Sequence, residues 1–195
     1  MPLPVSFSPA FNSRITVSYQ RAARKVPLFS TEECKAVISW ATTKSFTAVN
    51  EPGKGASQYK LLRCGREAWN PRVLAFQQKL EAIVEDLNHE IWRFDITEFL
   101  NVDILRYEVG DRVPLHVDLG INTYDVKLGV FVQLSPGNAY KGGTLRYGGA
   151  PPLEAASRAQ GALLILPAWV PHHVTTVTAG TRYSAVCWAV GPSFR

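Results

Sequence analysis

Apolar side chains recur at helical spacing in two segments of the first half of the chain. Ser30 and Glu33 form a capping-box signature, which predicts a first helix that ends at about Thr43. Asn70 followed by Pro71 is a typical helix start and precedes a longer second helix. The apolar face of this second helix consists of Val73, Phe76, Leu80, Ile83, Val84 and Leu87. Both helices are expected to pack an apolar face against a sheet.

Short runs rich in β-branched and aromatic residues, separated by Gly, Pro, Asn and Asp, dominate the second half. The predicted strands are residues 58–64, 99–108, 112–118, 126–134, 144–147, 162–166, 170–177 and 181–190. Ala179-Gly180 predicts a hairpin turn between the last two strands. The polar loop at residues 50–57 either covers the mouth of a pocket or only connects two elements. The pattern predicts a mainly β fold, a double-stranded β-helix or jelly roll core packed on two N-terminal helices.

Candidate metal ligands lie on two of the predicted strands. Alternate residues of a strand project to the same side, so His116 and Asp118 are expected to lie beside each other while Val117 faces away. His172 on a distant strand supplies a third ligand. Two imidazoles and one carboxylate on one face of an iron leave the opposite positions open, as in non-haem Fe(II) oxygenases.

The last strand predicts an anion-binding group. Arg182, Ser184, Val186 and Trp188 share one face of it, so a guanidinium and a hydroxyl are presented together. A planar guanidinium with a neighbouring donor matches a carboxylate. Each feature has a simpler interpretation, because a lone His-x-Asp pair occurs on many exposed strands, Arg182 could be a solvated strand residue and Trp188 ordinary core. The agreement of order and spacing favours a site.

From Tyr107 to Trp188 the chain resembles the prolyl 4-hydroxylase-like branch of the 2-oxoglutarate/Fe(II) dioxygenases. An HxD motif, a distal His and a basic residue ten positions after that His recur there in this order. Two departures are Thr144, where many relatives have an acidic residue, and the adjacent pair His172-His173. The other segments that carry the resemblance are Tyr107 to Asp111, Gln133-Leu134-Ser135, Tyr140 to Leu145 and Gly161 to Pro167.

The resemblance implies that His116, Asp118 and His172 bind Fe(II). Arg182, assisted by Ser184, is expected to pair with the far carboxylate of the cosubstrate 2-oxoglutarate. O2 is the second cosubstrate, succinate and CO2 are the expected by-products, and ascorbate is a candidate stimulant. The ten-residue offset to Arg182 selects His172 over its neighbour His173, although hairpin register can slip by one residue.

Further roles follow from the same resemblance. Leu145 is expected to pack against the methylenes of the cosubstrate, and Trp188 is a candidate for the substrate pocket. The Tyr107 hydroxyl either contacts the cosubstrate or belongs to a buried tyrosine with an unrelated hydrogen-bond partner. Asp118 argues against a halogenase, since related halogenases have Gly or Ala at that position.

Three classes of function agree with these residues. The first is a hydroxylase of an amino acid, a peptidyl residue such as proline, or a small metabolite. The second is an oxidative nucleic-acid dealkylase, which requires a basic groove with stacking aromatics. The third is a jelly-roll binding module without catalytic activity, which the complete ligand set disfavours. No oligomeric state is predicted.

Charge is concentrated at the N-terminus. Residues 1–31 contain Arg14, Arg21, Arg24 and Lys25 and no acid, whereas the remaining residues have 17 basic and 16 acidic side chains. The near-neutral remainder disfavours nucleic acid as a partner. Residues 1–26 are therefore predicted to be a basic extension or edge strand.

Length and composition predict one domain at residues 27–195, with the catalytic jelly roll at about 99–191. The 195 residues are 46% hydrophobic, enough for one core, and no apolar run could span a membrane. Cys34, Cys64 and Cys187 cannot all pair and lack close metal-ligand spacing, which favours free thiols in a reducing compartment. With no secretory signal evident, the default prediction is a cytoplasmic location.

Overall fold

The structure is a computed structural model that describes residues 27–51, 57–63, 65–120, 123–148 and 152–193. Two α-helices lie in this part of the chain, α1 (Thr31–Ala41) and α2 (Pro71–Glu90), with a short 3-10 turn at Arg66–Ala68. The predicted capping box of α1 is present, and the Asn70 side chain accepts a hydrogen bond from Val73 N–H with Pro71 at the first position of α2. Neither helix is long and apolar enough to cross a membrane.

The described residues form thirteen strands. They are β1 (Thr47–Glu51), β2 (Ser57–Leu62), β3 (Glu98–Phe99), β4 (Asp103–Tyr107), β5 (Val113–His116), β6 (Val126–Gln133), β7 (Tyr140–Gly142), β8 (Leu145–Tyr147), β9 (Glu154–Ala155), β10 (Leu163–Pro167), β11 (His172–Val174), β12 (Val177–Gly180) and β13 (Arg182–Val190).

These strands form a larger and a smaller sheet. The larger sheet has the order β1-β2-β4-β13-β6-β10, and β3 also pairs with β13. The smaller sheet has the order β5-β11-β8-β9, and β7 pairs with β12 in a separate ribbon. Every pairing is antiparallel.

Strand alternation divides the core into two layers. On β10, Leu163 and Ile165 belong to the layer between the larger sheet and the helices, while Leu164 and Leu166 belong to the layer between the sheets. Val37 and Leu80 bring the apolar faces of α1 and α2 into the first layer, as their spacing predicted. The second layer contains the pocket described below.

The predicted hairpin turn at Ala179-Gly180 is wrong. Both residues belong to β12, which pairs with β7 and not with β13, and they lie opposite Lys141 and Tyr140. Gly180 has φ +72°, and a Cβ there would overlap the carbonyl oxygen of Ala139. The glycine therefore permits close approach between strands that are distant in sequence.

The loop predicted at residues 50–57 is partly wrong, because Asn50, Glu51 and Ser57 are strand residues that close an antiparallel pair between β1 and β2. Residues 52–56 lie outside the described part, as do Cys64 and the extension predicted at 1–26. Helix α1 ends two residues before Thr43.

Other strand boundaries also need correction. The segment predicted as one strand at 99–108 is divided into β3 and β4. The strand predicted at 170–177 is shorter, since it contains β11 and only the first residue of β12, Val177. The strand predicted at 112–118 ends at His116. Strands β1, β7 and β9 were not predicted, each having five residues or fewer.

Candidate functional site

Two histidines face each other across the β5–β11 pair. His116 and His172 are partners in that ladder, with ring centroids 4.3 Å apart. The Nδ1 of His116 lies 2.9 Å from the carbonyl oxygen of Pro114, and the Nδ1 of His172 lies 3.0 Å from that of Val170. An Nδ1–H that donates to a carbonyl leaves the Nε2 lone pair free for a metal.

Asp118 lies beside these rings although it follows β5. Its backbone N–H donates to the carbonyl of Ala168 at 2.9 Å. Its Oδ1 lies 3.7 Å from His116 Nε2 and 3.8 Å from His172 Nε2. Gly129 on β6 leaves room for the carboxylate, since a Cβ there would overlap Asp118 Oδ2. The structure therefore brings these three side chains together, as the spacing predicted.

The donor set fits a ferrous ion. One atom from each of His116, Asp118 and His172 lies within 4.8 Å of the other two. Burial lowers the pKa of His172, and the negative charge of Asp118 opposes this effect only in part. The imidazole is therefore neutral near neutral pH, as a metal ligand must be. Two imidazoles with one carboxylate are the ligands that non-haem Fe(II) oxygenases use.

His173 faces away from this group. On β11 it lies opposite Arg146 of β8, whereas His172 lies opposite Tyr147. Burial lowers the pKa of His173, and the positive charge of Arg146 lowers it further. Of the two adjacent histidines, the structure brings His172 to the metal-ligand group, in agreement with strand alternation.

A buried guanidinium lies across the same pocket. Arg182 is 4% exposed; its Nε donates to Gln133 Oε1 at 3.1 Å, and its Nη1 lies 3.4 Å from Ser184 Oγ. Its guanidinium carbon lies 5.0 Å from the centroid of the Tyr107 ring. Within the described ranges no carboxylate forms an ion pair with Arg182. A buried charge without a counter-ion favours an anionic ligand.

Tyr107 is a neutral partner of this guanidinium. The side chain is 2% exposed, and burial raises the pKa of Tyr107 while the charge of Arg182 opposes the rise. Arg182 and Ser184 also interact with its hydroxyl as hydrogen-bond partners. The phenol therefore remains protonated at neutral pH and can contribute a hydrogen bond to a ligand of Arg182.

The pocket that joins these groups encloses about 490 Å³, a volume that includes the solvent space at its mouth. The three metal-ligand candidates lie in one wall, and Tyr107, Arg182 and Ser184 lie in another. The remaining lining is mostly apolar. It consists of Tyr59, Leu105, Val113, Phe131, Leu145, Val174, Val186 and Trp188. Leu145 and Trp188 thus line the pocket, as predicted, and the roles expected of them remain proposals.

The sequence did not predict the roles of two pocket-lining residues, Tyr59 and Phe131, or of Gly129 and Gln133 beside the pocket. Gly129, Phe131 and Gln133 alternate along one face of β6, opposite the β13 residues that were predicted to share a face. Their alternation was visible in the sequence, but only the register between β6 and β13 identifies the face. Tyr59 comes from β2, and its ring centroid lies 5.7 Å from that of Tyr107. Only the β2–β4 pairing brings this residue to the pocket.

The second half of the chain is similar in sequence to known oxygenases. The model of the 2OG-Fe(II) oxygenase superfamily matches residues 102–190. A PKHD-type hydroxylase of Shewanella oneidensis is 36% identical over 88 residues, which cover 43% of this chain and 39% of that relative's length. The matched part therefore contains β4 to β13 and all the metal-ligand candidates.

Solved structures extend the likeness to the whole fold. A prolyl hydroxylase from Trichoplax adhaerens, in complex with a peptide fragment of the hypoxia inducible factor oxygen degradation domain, has a TM-score of 0.71 and 14% identity, and the match covers 95% of this chain and 94% of that one. A Pseudomonas putida prolyl-4-hydroxylase has a TM-score of 0.65 and 16% identity, covering 86% and 91%. These likenesses confirm the predicted jelly roll. In sequence, residues 102–190 are similar to the 2OG-Fe(II) oxygenase superfamily.

Proposed function

We propose that this protein is a 2-oxoglutarate- and O2-dependent Fe(II) hydroxylase that acts on a C–H bond of an amino acid, a peptidyl residue such as proline, or a small metabolite. One observation carries the proposal: a complete set of two histidines and one carboxylate shares a pocket with a buried guanidinium that has no counter-ion among the described residues. The prolyl hydroxylases of similar fold support an amino-acid or peptidyl substrate.

The metal end of the pocket is built to hold one ion in a fixed geometry. His116 and His172 would bind Fe(II) through Nε2, and their Nδ1 contacts with Pro114 and Val170 keep the rings from turning. Asp118 supplies a carboxylate oxygen. When bound, Fe(II) supplies the activation of O2 by which 2-oxoglutarate is converted to succinate and CO2 and the substrate gains a hydroxyl.

The other end of the pocket would bind the far carboxylate of 2-oxoglutarate. Arg182 offers its terminal nitrogens, with Ser184 and the neutral Tyr107 hydroxyl as further partners. Leu145 and Phe131 line the space between the two ends, where their apolar surfaces would pack against the cosubstrate methylenes. The apolar walls also exclude water from the charged contacts, which strengthens them.

The substrate side is the part of the pocket away from Arg182. Trp188 lies opposite Gly129 in the sheet, four residues along β13 from Ser184 and on the same face. Gly129 is also the residue beside the Asp118 carboxylate. We therefore assign the Trp188 indole to the wall that would hold the reacting carbon of the substrate near the metal. An uncharged ring suits this role, because the substrate carbon needs to be oriented there and not to be bound by a charge.

Anaerobic titration of Fe(II) into metal-free protein with 2-oxoglutarate present tests the proposal. The wild-type protein is expected to develop the visible charge-transfer band of an iron(II) 2-oxoglutarate complex, and His172→Ala is expected to lose it. His173→Ala is the matched control and should keep the band. Because Arg182→Met removes a charged hydrogen-bond partner, it should require about tenfold to a hundredfold more 2-oxoglutarate. Absence of a band in the wild-type protein would refute the proposal.

Exposure of the same complex to O2 then tests the reaction. Succinate should form slowly without a substrate and faster with one. Candidate substrates are therefore ranked by the rate of succinate formation in their presence and by the mass of the product. Free L-proline, proline-containing peptides and a methylated DNA oligonucleotide form a suitable first set. Stimulation by the oligonucleotide alone would replace the hydroxylase assignment with that of a dealkylase.

A further inference from the structure

Gln133 is the residue that holds the Nε atom of Arg182. It lies on β6 opposite Ser184, which is two residues from Arg182 on β13. Its side chain is buried, with an exposed fraction of 6%. Its Oε1 accepts from Arg182 Nε at 3.1 Å, and its Nε2 donates to the carbonyl oxygen of Ser135 at 2.7 Å.

These two contacts determine which way the amide points. An arginine Nε–H can only donate and a carbonyl oxygen can only accept, so the Gln133 oxygen must face Arg182 and its nitrogen must face Ser135. Ser135 is itself held, because its Oγ accepts from the Tyr183 backbone N–H at 2.7 Å. The orientation of Gln133 Oε1, the acceptor for Arg182, is therefore fixed through Ser135, which is itself bound to the backbone of β13 at Tyr183.

The amide has a second property, its neutrality. An acceptor was needed at this point to orient the buried guanidinium, and a carboxylate would also have supplied one. A carboxylate would have neutralised Arg182, whereas an amide orients it and leaves its charge for a ligand. The amide contacts Nε and does not occupy the two terminal nitrogens, Nη1 and Nη2.

We infer that Gln133 is a positioning residue that keeps Arg182 both oriented and un-neutralised, and that it thereby sets the affinity of the pocket for the distal carboxylate of its cosubstrate. The inference rests on the proposed function, in which that cosubstrate is 2-oxoglutarate. Gln133 acts through Arg182 and does not itself touch the metal ligands.

Binding calorimetry on the Mn(II)-loaded protein under anaerobic conditions tests the role without turnover. Gln133→Glu adds a negative charge beside Arg182 and should weaken 2-oxoglutarate binding by about tenfold or more. Gln133→Met keeps the length of the side chain and removes the acceptor, and a weakening of about threefold to tenfold is expected, the range of one neutral hydrogen bond. The Mn(II) affinity should not change in either variant.

Two controls separate positioning from a general effect on the fold. Gln160→Glu makes the same substitution in a half-buried side chain that donates to the carbonyl oxygen of Leu134 and does not contact Arg182; its affinity for 2-oxoglutarate should equal that of the wild-type protein. The second control is the ligand 2-oxobutyrate, which keeps the 2-oxo acid group and lacks the far carboxylate. Its binding should be the same in the wild-type protein and in Gln133→Glu.

The outcomes distinguish this inference from the proposed function. Weaker binding of 2-oxoglutarate alone, with Mn(II) affinity and the 2-oxobutyrate control unchanged, supports the role of Gln133. Unchanged 2-oxoglutarate affinity in Gln133→Glu, or an equal loss for both ligands, overturns it. A wild-type protein that binds Mn(II) but not 2-oxoglutarate contradicts the proposed function itself.

Discussion

Replacement of Gly129 by alanine is expected to impair metal binding without unfolding the protein. Gly129 lies in the middle of β6 and contributes no side chain to the metal site. A Cβ at this position would overlap Oδ2 of Asp118 and would lie 3.2 Å from the Cε2 and Cζ atoms of the Phe131 ring. Its φ lies outside the left-handed region, so the substitution acts by volume and not by backbone strain.

The size of the effect follows from that overlap. To reach an ordinary contact of 3.4 Å, the carboxylate oxygen must retreat by about 1 Å. Metal-ligand distances tolerate changes of only about 0.2 Å. Disturbing a group that orients a ligand typically weakens metal affinity by about tenfold to a hundredfold. Overpacking at a buried site should also cost about 1–3 kcal/mol of unfolding free energy.

Anaerobic titration with Mn(II), followed by electron paramagnetic resonance of the free ion, measures the affinity. Urea unfolding of the metal-free protein gives the stability separately. Gly120→Ala is the matched control, because it lies two residues after Asp118 and its added Cβ would come no closer than 3.3 Å, to Thr123 Oγ1. It is expected to bind Mn(II) as the wild-type protein does.

The steric argument would be refuted if Gly129→Ala bound Mn(II) within about twofold of the wild-type affinity while Asp118→Ala did not. A twofold change in affinity is small on the energy scale of one ligand contact. An equal loss of affinity in Gly120→Ala would also contradict it, because the effect would then follow from any substitution near the site.

Two further predictions concern the scaffold. Ser30→Ala removes the hydroxyl that accepts from Glu33 N–H at the start of α1, and urea unfolding should show a loss of about 0.5–2 kcal/mol of unfolding free energy. The control is Ser39→Ala, an exposed serine that lacks this capping contact. Equal losses in the two variants would exclude the cap as the cause. Burial raises the pKa of Asp103 above its ordinary value of 3.8 despite the hydrogen bonds from Arg63. Folding therefore favours the protonated carboxyl, and the stability that this group contributes is lost as pH rises through the raised pKa. Compared with Asp103→Asn, the wild-type protein should therefore lose unfolding free energy over this pH interval, and a gain would contradict the direction of the shift.

The predictable part of the site depends on local periodicity. His116 and Asp118 were placed together by the alternation of a strand, and the structure agrees even though β5 ends at His116. The exact end of the strand did not matter, because Asp118 Oδ1 still lies 3.7 Å from His116 Nε2. His172 was chosen over His173 by its ten-residue offset to Arg182, and alternation then placed His173 on the opposite face, as observed.

The features that could not be predicted depend on which strands become neighbours. Ala179-Gly180 has the composition of a hairpin turn, but the glycine instead accommodates the carbonyl of Ala139, which lies 41 residues earlier in the chain. The contact between Gln133 and Arg182 likewise joins residues that are separated by 49 positions. Neither pairing has a local sequence signal, because each is fixed by sheet register.

The metal ligands and the anion-binding arginine belong to different sheets. His116 and His172 lie on β5 and β11 of the smaller sheet, and Arg182 lies on β13 of the larger one. A dicarboxylate that chelates the metal and reaches Arg182 would therefore act as a non-covalent cross-link between the two layers. Ligand that binds only the native state stabilises it by mass action, so amide hydrogens of both sheets should become protected together when the cosubstrate binds. In this arrangement the free energy that holds the two sheets together would rise with the concentration of such a dicarboxylate.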